Sequence, residues 1–235
     1  TFDTTAPVIS SVDPSTNSSG NSANVGYTLS EAIASGTVTY TRTGGTADGN
    51  SPHTVNLAGS ELNAGERSSA ALTNAPTLVS GAIYSIAFNG TDVAGNAATA
   101  VTVTGITFDT TAPVVNSVTA STIDGSYNLG DVIDIQVIFN EVVTITGTPQ
   151  LTLETGINDR LASYVSSGSN YTHVFRYTVQ SGDTSSDLDY TSSTALALNG
   201  GTIRDTYGND ATLTLPNPTS SNSLSHSKAL VIDTT

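Results

Sequence analysis

The eight residues Thr1-Phe2-Asp3-Thr4-Thr5-Ala6-Pro7-Val8 return unchanged as Thr107-Phe108-Asp109-Thr110-Thr111-Ala112-Pro113-Val114. The correspondence continues with Ser10-Ser11-Val12 against Asn116-Ser117-Val118, and Ile232-Asp233-Thr234-Thr235 opens a third copy. Asp3 and Asp109 lie 106 residues apart, and Asp109 and Asp233 lie 124 apart. Identity over eight consecutive positions at domain-sized spacing marks an array whose units each close a core of their own. The chain is therefore expected to divide into units 1–106 and 107–235, the second ending in the start of a next repeat. It opens on Thr1, without Met, and reads as a segment of a longer protein.

Between the signatures, apolar and polar residues alternate with period two. Val8 to Val12, Ala23 to Leu29, Gly36 to Thr41, Ile83 to Phe88 and Ala100 to Ile106 show it in the first unit. Val132 to Phe139, Leu151 to Leu153, Val174 to Val179, Ala211 to Leu215 and Ala229 to Ile232 show it in the second. Such runs bury one face and solvate the other. Gly44-Gly45, Asp48-Gly49-Asn50 and Asn89-Gly90 carry turn chemistry. A turn of helix fits only between Ser60 and Ala71. About seven short strands in a unit of this length predict a two-sheet sandwich.

Composition narrows the function. There is no Cys, Met or Trp, which removes disulfides and thiolate metal sites. The net charge is −14, with six basic residues: Arg42, Arg67, Arg160, Arg176, Arg204 and Lys228. A field of that sign repels phosphate backbones, so no nucleic-acid partner is expected. No apolar run reaches transmembrane length, so no membrane insertion is expected in this segment.

The opening Asp-Thr-Thr-Ala-Pro and the later Asp92-Val93-Ala94-Gly95-Asn96 resemble the bacterial Ig-like tandem repeats of large secreted surface adhesins, of the biofilm-associated and RTX type. In the second unit, Tyr177 to Asp183, Leu196 to Ile203 and Arg204-Asp205-Thr206-Tyr207-Gly208-Asn209 resemble a longer relative in the same arrays. The resemblance spans nearly the whole chain. It implies an all-β fold of two tandem Ig-like β-sandwich domains joined by a short linker. It also implies an extracellular, cell-surface location and calcium at the junctions between repeats. The role implied is that of structural extender repeats in cell adhesion, projecting a distal binding region. The partners are then neighbouring repeats of the same chain, with a host-cell or surface ligand bound elsewhere in the parent protein.

Strand counting places the acids. Calcium takes six to eight oxygen ligands, and the turn after a unit's penultimate strand should lie at the end where the chain enters. Asp3 with Asp92 and Asn96 is thus expected to form one partial site. Asp109 with Asp205, Asn209 or Asp210 is expected to form another. Asp13 and Asp124, in early loops, are expected at the opposite end, reaching toward Asp109 and Asp233. Asp and Asn also suit these places as turn residues tolerant of left-handed backbone, and both readings stand. No EF-hand loop core is present. The acid-rich stretch Asp183 to Asp189 reads as a solvated loop or a local site.

Catalytic signatures are missing. His53, His173 and His226 belong to no metalloprotease motif and read as exposed and incidental, and no nucleophile elbow or phosphate loop occurs. Aromatic residues are 6% of the chain, too few for sugar-stacking platforms around a carboxylate pair. Tyr127, Tyr164, Tyr171, Tyr190 and Tyr207 read as core or sheet-face residues. Lys228, the sole lysine, invites a self-formed amide cross-link, but an ordinary exposed lysine is the simpler reading. The chain is read as no enzyme. The alternative is a glycan- or protein-binding module of a secreted or surface protein.

Overall fold

The computed structural model describes residues 2–234. Two compact units divide the chain, Thr1–Thr111 and Ala112–Thr235. Each is a β-sandwich with its own apolar core.

The first unit contains β1 (Ile9–Asp13), β2 (Ser19–Gly20), β3 (Val25–Leu29), β4 (Ser35–Gly45), β5 (His53–Asn56), β6 (Gly65–Ala70), β7 (Ala82–Thr91) and β8 (Val101–Phe108). One sheet has the order β1-β3-β6 and the other β2-β8-β7-β4-β5. Alternation dictates which face is buried: Ala82, Tyr84, Ile86 and Phe88 of β7 all point inward. Tyr27 of β3 meets Phe88 of β7 with ring centroids 6.0 Å apart, which joins the two sheets across the core. The helical turn is a short 3-10 segment, Gly59–Leu62, followed directly by β6.

The second unit follows with β9 (Val115–Ala120), β10 (Gly125–Tyr127), β11 (Val132–Phe139), β12 (Thr144–Thr146), β13 (Gln150–Glu154), β14 (Arg160–Ser167), β15 (Thr172–Thr178), β16 (Thr184–Ser185), β17 (Asp189–Tyr190), β18 (Leu196–Ala197), β19 (Thr202–Arg204), the single helical turn α1 (Leu224–Ser227) and β20 (Leu230–Asp233). Its large sheet runs β17-β13-β14-β15-β11-β9, with β18 also on β13. A three-stranded sheet, β10-β20-β16, and the pair β12-β19 complete it.

Both units divide their opening segment in the same way. The first strand pairs antiparallel with the third, β1 on β3 and β9 on β11. The second strand pairs parallel with the last, β2 on β8 and β10 on β20. The incoming chain thus belongs to both sheets and closes one side of the sandwich.

Three expectations need correction. The boundary expected after residue 106 falls inside β8, because Thr107 and Phe108 still pair with β2 and β7. Asn89-Gly90 is no turn: both residues pair with β4, and the turn follows at Asp92. Ala211 to Leu215 makes no strand beyond isolated bridges nearby, Val114 to Thr212 among them.

Candidate functional site

The end of each unit where the chain enters is built by the same local bonds. In the first unit the Val8 amide donates to Ser30 Oγ at 2.9 Å, and the Ser30 amide donates back to the Val8 carbonyl at 3.0 Å. This pins the opening segment beside the end of β3 and sets Glu31 next to it. On the other sheet, Ser35 at the start of β4 pairs with Thr91 at the end of β7. That register brings Asp92, the next residue, to the same end.

A tight loop then aims Asp92. Its amide donates to the Asn96 carbonyl at 3.0 Å, and its Oδ1 accepts from the Asn96 amide at 2.8 Å. Its Oδ2 accepts from Asn96 Nδ2, also at 2.8 Å. Gly95 turns the chain at φ +94°, a conformation that costs a side chain but not glycine. Asn96 Nδ2 also reaches the Asp3 carbonyl at 3.2 Å. The side-chain amide of Asn96 first, then backbone N–H groups at residues 94–96, hold the Asp92 carboxyl below the usual range against the opposing effect of burial. Carboxylate oxygens of Asp3, Glu31 and Asp92 all lie within 4.8 Å of one another.

The second unit repeats the construction. The Val114 amide donates to Asn140 Oδ1 at 2.8 Å, and the Asn140 amide donates to the Val114 carbonyl at 3.0 Å. Glu141 follows. Thr144 of β12 pairs with Arg204 of β19, and Asp205 follows. The Asp205 amide donates to the Asn209 carbonyl at 3.1 Å. Asp205 Oδ1 accepts from the Asn209 amide at 2.8 Å and Oδ2 from Asn209 Nδ2 at 2.7 Å, around Gly208 at φ +92°. Carboxylate oxygens of Glu141 and Asp205 lie within 4.8 Å of each other.

Three carboxylates this close repel unless a cation lies among them. The six basic side chains are committed elsewhere. Arg42 binds the carbonyls of Gly45 and Thr46, and Arg67 lies 3.6 Å from Glu61. Arg160, Arg176, Arg204 and Lys228 pair with Asp183, Asp134, Asp210 and Asp124. The donor set is all oxygen, as a hard cation requires. Oxygen ligands within 4.8 Å of one another are close enough to share one hard cation. Asn96 and Asn209 turn their side-chain nitrogens toward the carboxylates of Asp92 and Asp205 and orient them.

Asp109 Oδ1 accepts from Ser80 Oγ at 2.7 Å and from the Thr111 amide at 2.8 Å. Burial pushes this carboxyl up, but those bonds outweigh it and hold it below the usual range. Asp3 makes the matching turn, accepting from the Thr5 amide at 3.0 Å. Asp13 ends β1 and lines a cavity of about 220 Å³ with Tyr40, Tyr84 and Phe108. Asp233 ends β20 opposite Thr184. Among the described residues, neither Asp13 nor Asp233 joins a group of three acids. Asp124 is diverted: Lys228 Nζ lies 2.9 Å away, and the Ala229 amide donates to the same oxygen. That ion pair also replaces the exposed lysine expected at Lys228.

Two further expectations fail through burial. Asp183 and Asp189 are interior residues and not parts of a solvated loop. Asp183 accepts from Arg160, Tyr177 and the Gln180 amide. Asp189 accepts from the amides of Tyr190 and Thr219 and from Ser225 Oγ. Of the histidines, His226 is exposed as expected, but His173 is wholly buried and His53 bonds to Asp48 at 2.6 Å.

Sequence reading missed Glu31 and Glu141. Their signal is weak: an apolar strand end, one short polar residue, then Glu, as Leu29-Ser30-Glu31 and Phe139-Asn140-Glu141. Only superposing the two repeats reveals it.

Residues 3–110 match the family model of the bacterial Ig-like domain. The Ig-like match begins at Asp3 and ends just past Asp109, so it takes in β1 to β8 and the whole acid group of the first unit. No curated protein matches the chain. Among the described residues no helix is long and apolar enough to cross a membrane.

Proposed function

We propose that this chain is a spacer segment of a bacterial cell-surface adhesin, extracellular, which projects a distal binding region and is stiffened by calcium at the entrance of each unit. The observation that carries the proposal is the entrance constellation, built twice by the same bonds on sandwiches with different sheets. In the first unit Asp3, Glu31 and Asp92 would hold the ion, with backbone carbonyls and water completing the shell. In the second, Glu141 and Asp205 correspond to Glu31 and Asp92. Asp109 takes the place of Asp3 by the eight-residue repeat, an assignment that rests on sequence correspondence.

Calcium would supply charge neutralisation and a fixed angle at each entrance. Pro7 and Pro113 already restrict the segments that carry these acids. Holding those segments to the ends of β3 and β11 removes the remaining freedom. Extracellular modules bind calcium at about 10⁻⁴–10⁻³ M, so the segment would be rigid outside a cell. The role calls for no chemistry on a substrate. Neighbouring repeats are the proposed partners.

Thermal unfolding and small-angle scattering, with millimolar calcium and with chelator, test this. Millimolar calcium, up to about tenfold over such a Kd, adds up to about 1.4 kcal/mol per site, so the midpoint should rise by a few degrees and the particle should lengthen. Glu31→Gln with Glu141→Gln should remove both responses. An unmodified chain indifferent to calcium on both measures refutes the metal reading. Glycan binding by the same segment would favour a recognition module instead.

A further inference from the structure

The two units house a histidine in opposite surroundings. In the first, His53 Nε2 lies 2.6 Å from Asp48 Oδ2, and that oxygen also accepts from the Tyr84 hydroxyl at 2.8 Å. A proton added to this ring meets a carboxylate. In the second, His173 at the start of β15 has no exposed surface. Its Nδ1 lies 3.2 Å from Ser167 Oγ, while its Nε2 is buried with no hydrogen-bond partner. Phe139 of β11 stands edge-on to the ring at 5.8 Å between centroids, and Tyr164 of β14 lies at 6.1 Å.

We propose that His173 is an acid-sensing element of the second unit: a ring built in as neutral, whose protonation loosens β11, β14 and β15 while the first unit keeps its fold.

The argument is one of unmatched charge. A proton added to the ring places a cation in a closed site where Nε2 has no hydrogen-bond partner, and a buried charge without a counter-charge beside it is strongly unfavourable. The groups facing the ring are Phe139 and the cross-strand Val137 from β11, Tyr164 and Ser167 from β14, and the Asn170 backbone before β15. Tyr164 is the one titratable side chain among them, and none is a carboxylate. Burial holds the ring below the usual imidazole range, opposed by the Asn170 carbonyl, which favours the charged form. The folded unit therefore takes up the proton less readily than the unfolded chain. Stability is whole above about pH 6.5, the unfolded value, and declines as the pH falls below it. The buried Asp183 carboxyl, held below the usual range by Tyr177, Arg160 and Gln180, stays ionised through that window, which separates this response from its own acid titration.

The experiment uses the full chain. Thermal unfolding at about pH 7.5 and 5.5 should show the second unit's transition falling by about 3–6 °C at the lower pH. His173→Gln should abolish that fall, and His53→Gln should leave it intact. Imidazole proton NMR of the unmodified chain gives a second reading that needs no variant. The His173 signal should stay in its neutral position at about pH 5.5, where an ordinary imidazole of about 6.5 is mostly protonated. A fall that persists in His173→Gln overturns the proposal, as does its absence from the unmodified chain. A His173 signal that titrates at the ordinary imidazole value of about 6.5 overturns it too, even where the variant does not fold.

Discussion

Asp92 and Asp205 are held by the same three bonds to Asn96 and Asn209, at lengths that agree within 0.1 Å. The buried acids deeper in the two units share nothing of the kind. Glu61 accepts from the Ala58 and Thr73 amides and from Thr73 Oγ1, with Arg67 at 3.6 Å. Asp183 binds Arg160 Nε directly at 2.7 Å, plus the Tyr177 hydroxyl and the Gln180 amide. An entrance loop closes on itself within five residues, so it can be carried from one sandwich to another without change. An interior acid depends on partners from distant strands, so it follows the sheet order of its own unit. Repetition is therefore preserved where bonding is local and lost where it is tertiary.

The sharpest way to break this comparison is in the interior. Asp183→Ala leaves Arg160 and the Tyr177 hydroxyl without their acceptor and should cost about 3–5 kcal/mol in chemical denaturation, confined to the second unit. It should also remove part of the acid dependence. Burial pushes the Asp183 carboxyl up, but bonds from Tyr177, Arg160 and Gln180 outweigh it and hold it below the usual range. Its contribution is therefore present above about pH 3.9, the unfolded value, and lost as the pH falls through the lower folded value. If the first unit is equally destabilised, the units are not independent.

At the entrances the expectation is equality. Asp92→Ala removes two bonds to Asn96, Asp205→Ala removes the matching two to Asn209 and one from the Tyr207 amide, and each should lower the midpoint of its own unit by about 4–8 °C without calcium. A clear inequality would mean that the loops are not interchangeable. Gly95→Ala and Gly208→Ala should each cost about 1–2 kcal/mol through the left-handed backbone alone, since nothing lies within 4 Å of a Cβ built on Gly95. The smallest effect is expected at Lys228→Ala. Its partner Asp124 is exposed, and loss of the pair should move the midpoint by under about 2 °C.

Much of the architecture was legible from pattern. Val132 to Phe139 is β11 from end to end, because its alternation is unbroken. Thr107-Phe108 was assigned to the next unit because repeat similarity marks where the motif begins, not where pairing ends. His173 shares the inward face of β15 with Phe175 and Tyr177, two and four residues on, so its burial is carried by period two and masked only by its polar residue type.

What the sequence by itself determined is the repeat, the two sandwich units and the Asp-x-x-Gly-Asn loops, since each rests on periodicity or on bonds within a few residues. Only the tertiary structure decided that Glu31 joins Asp3 and Asp92, that Lys228 claims Asp124, and that Asn96 orients the Asp92 carboxylate. Those outcomes depend on strand register and on which cation reaches which carboxylate first. In a chain with twenty acids and six bases, composition leaves that choice open and folding makes it.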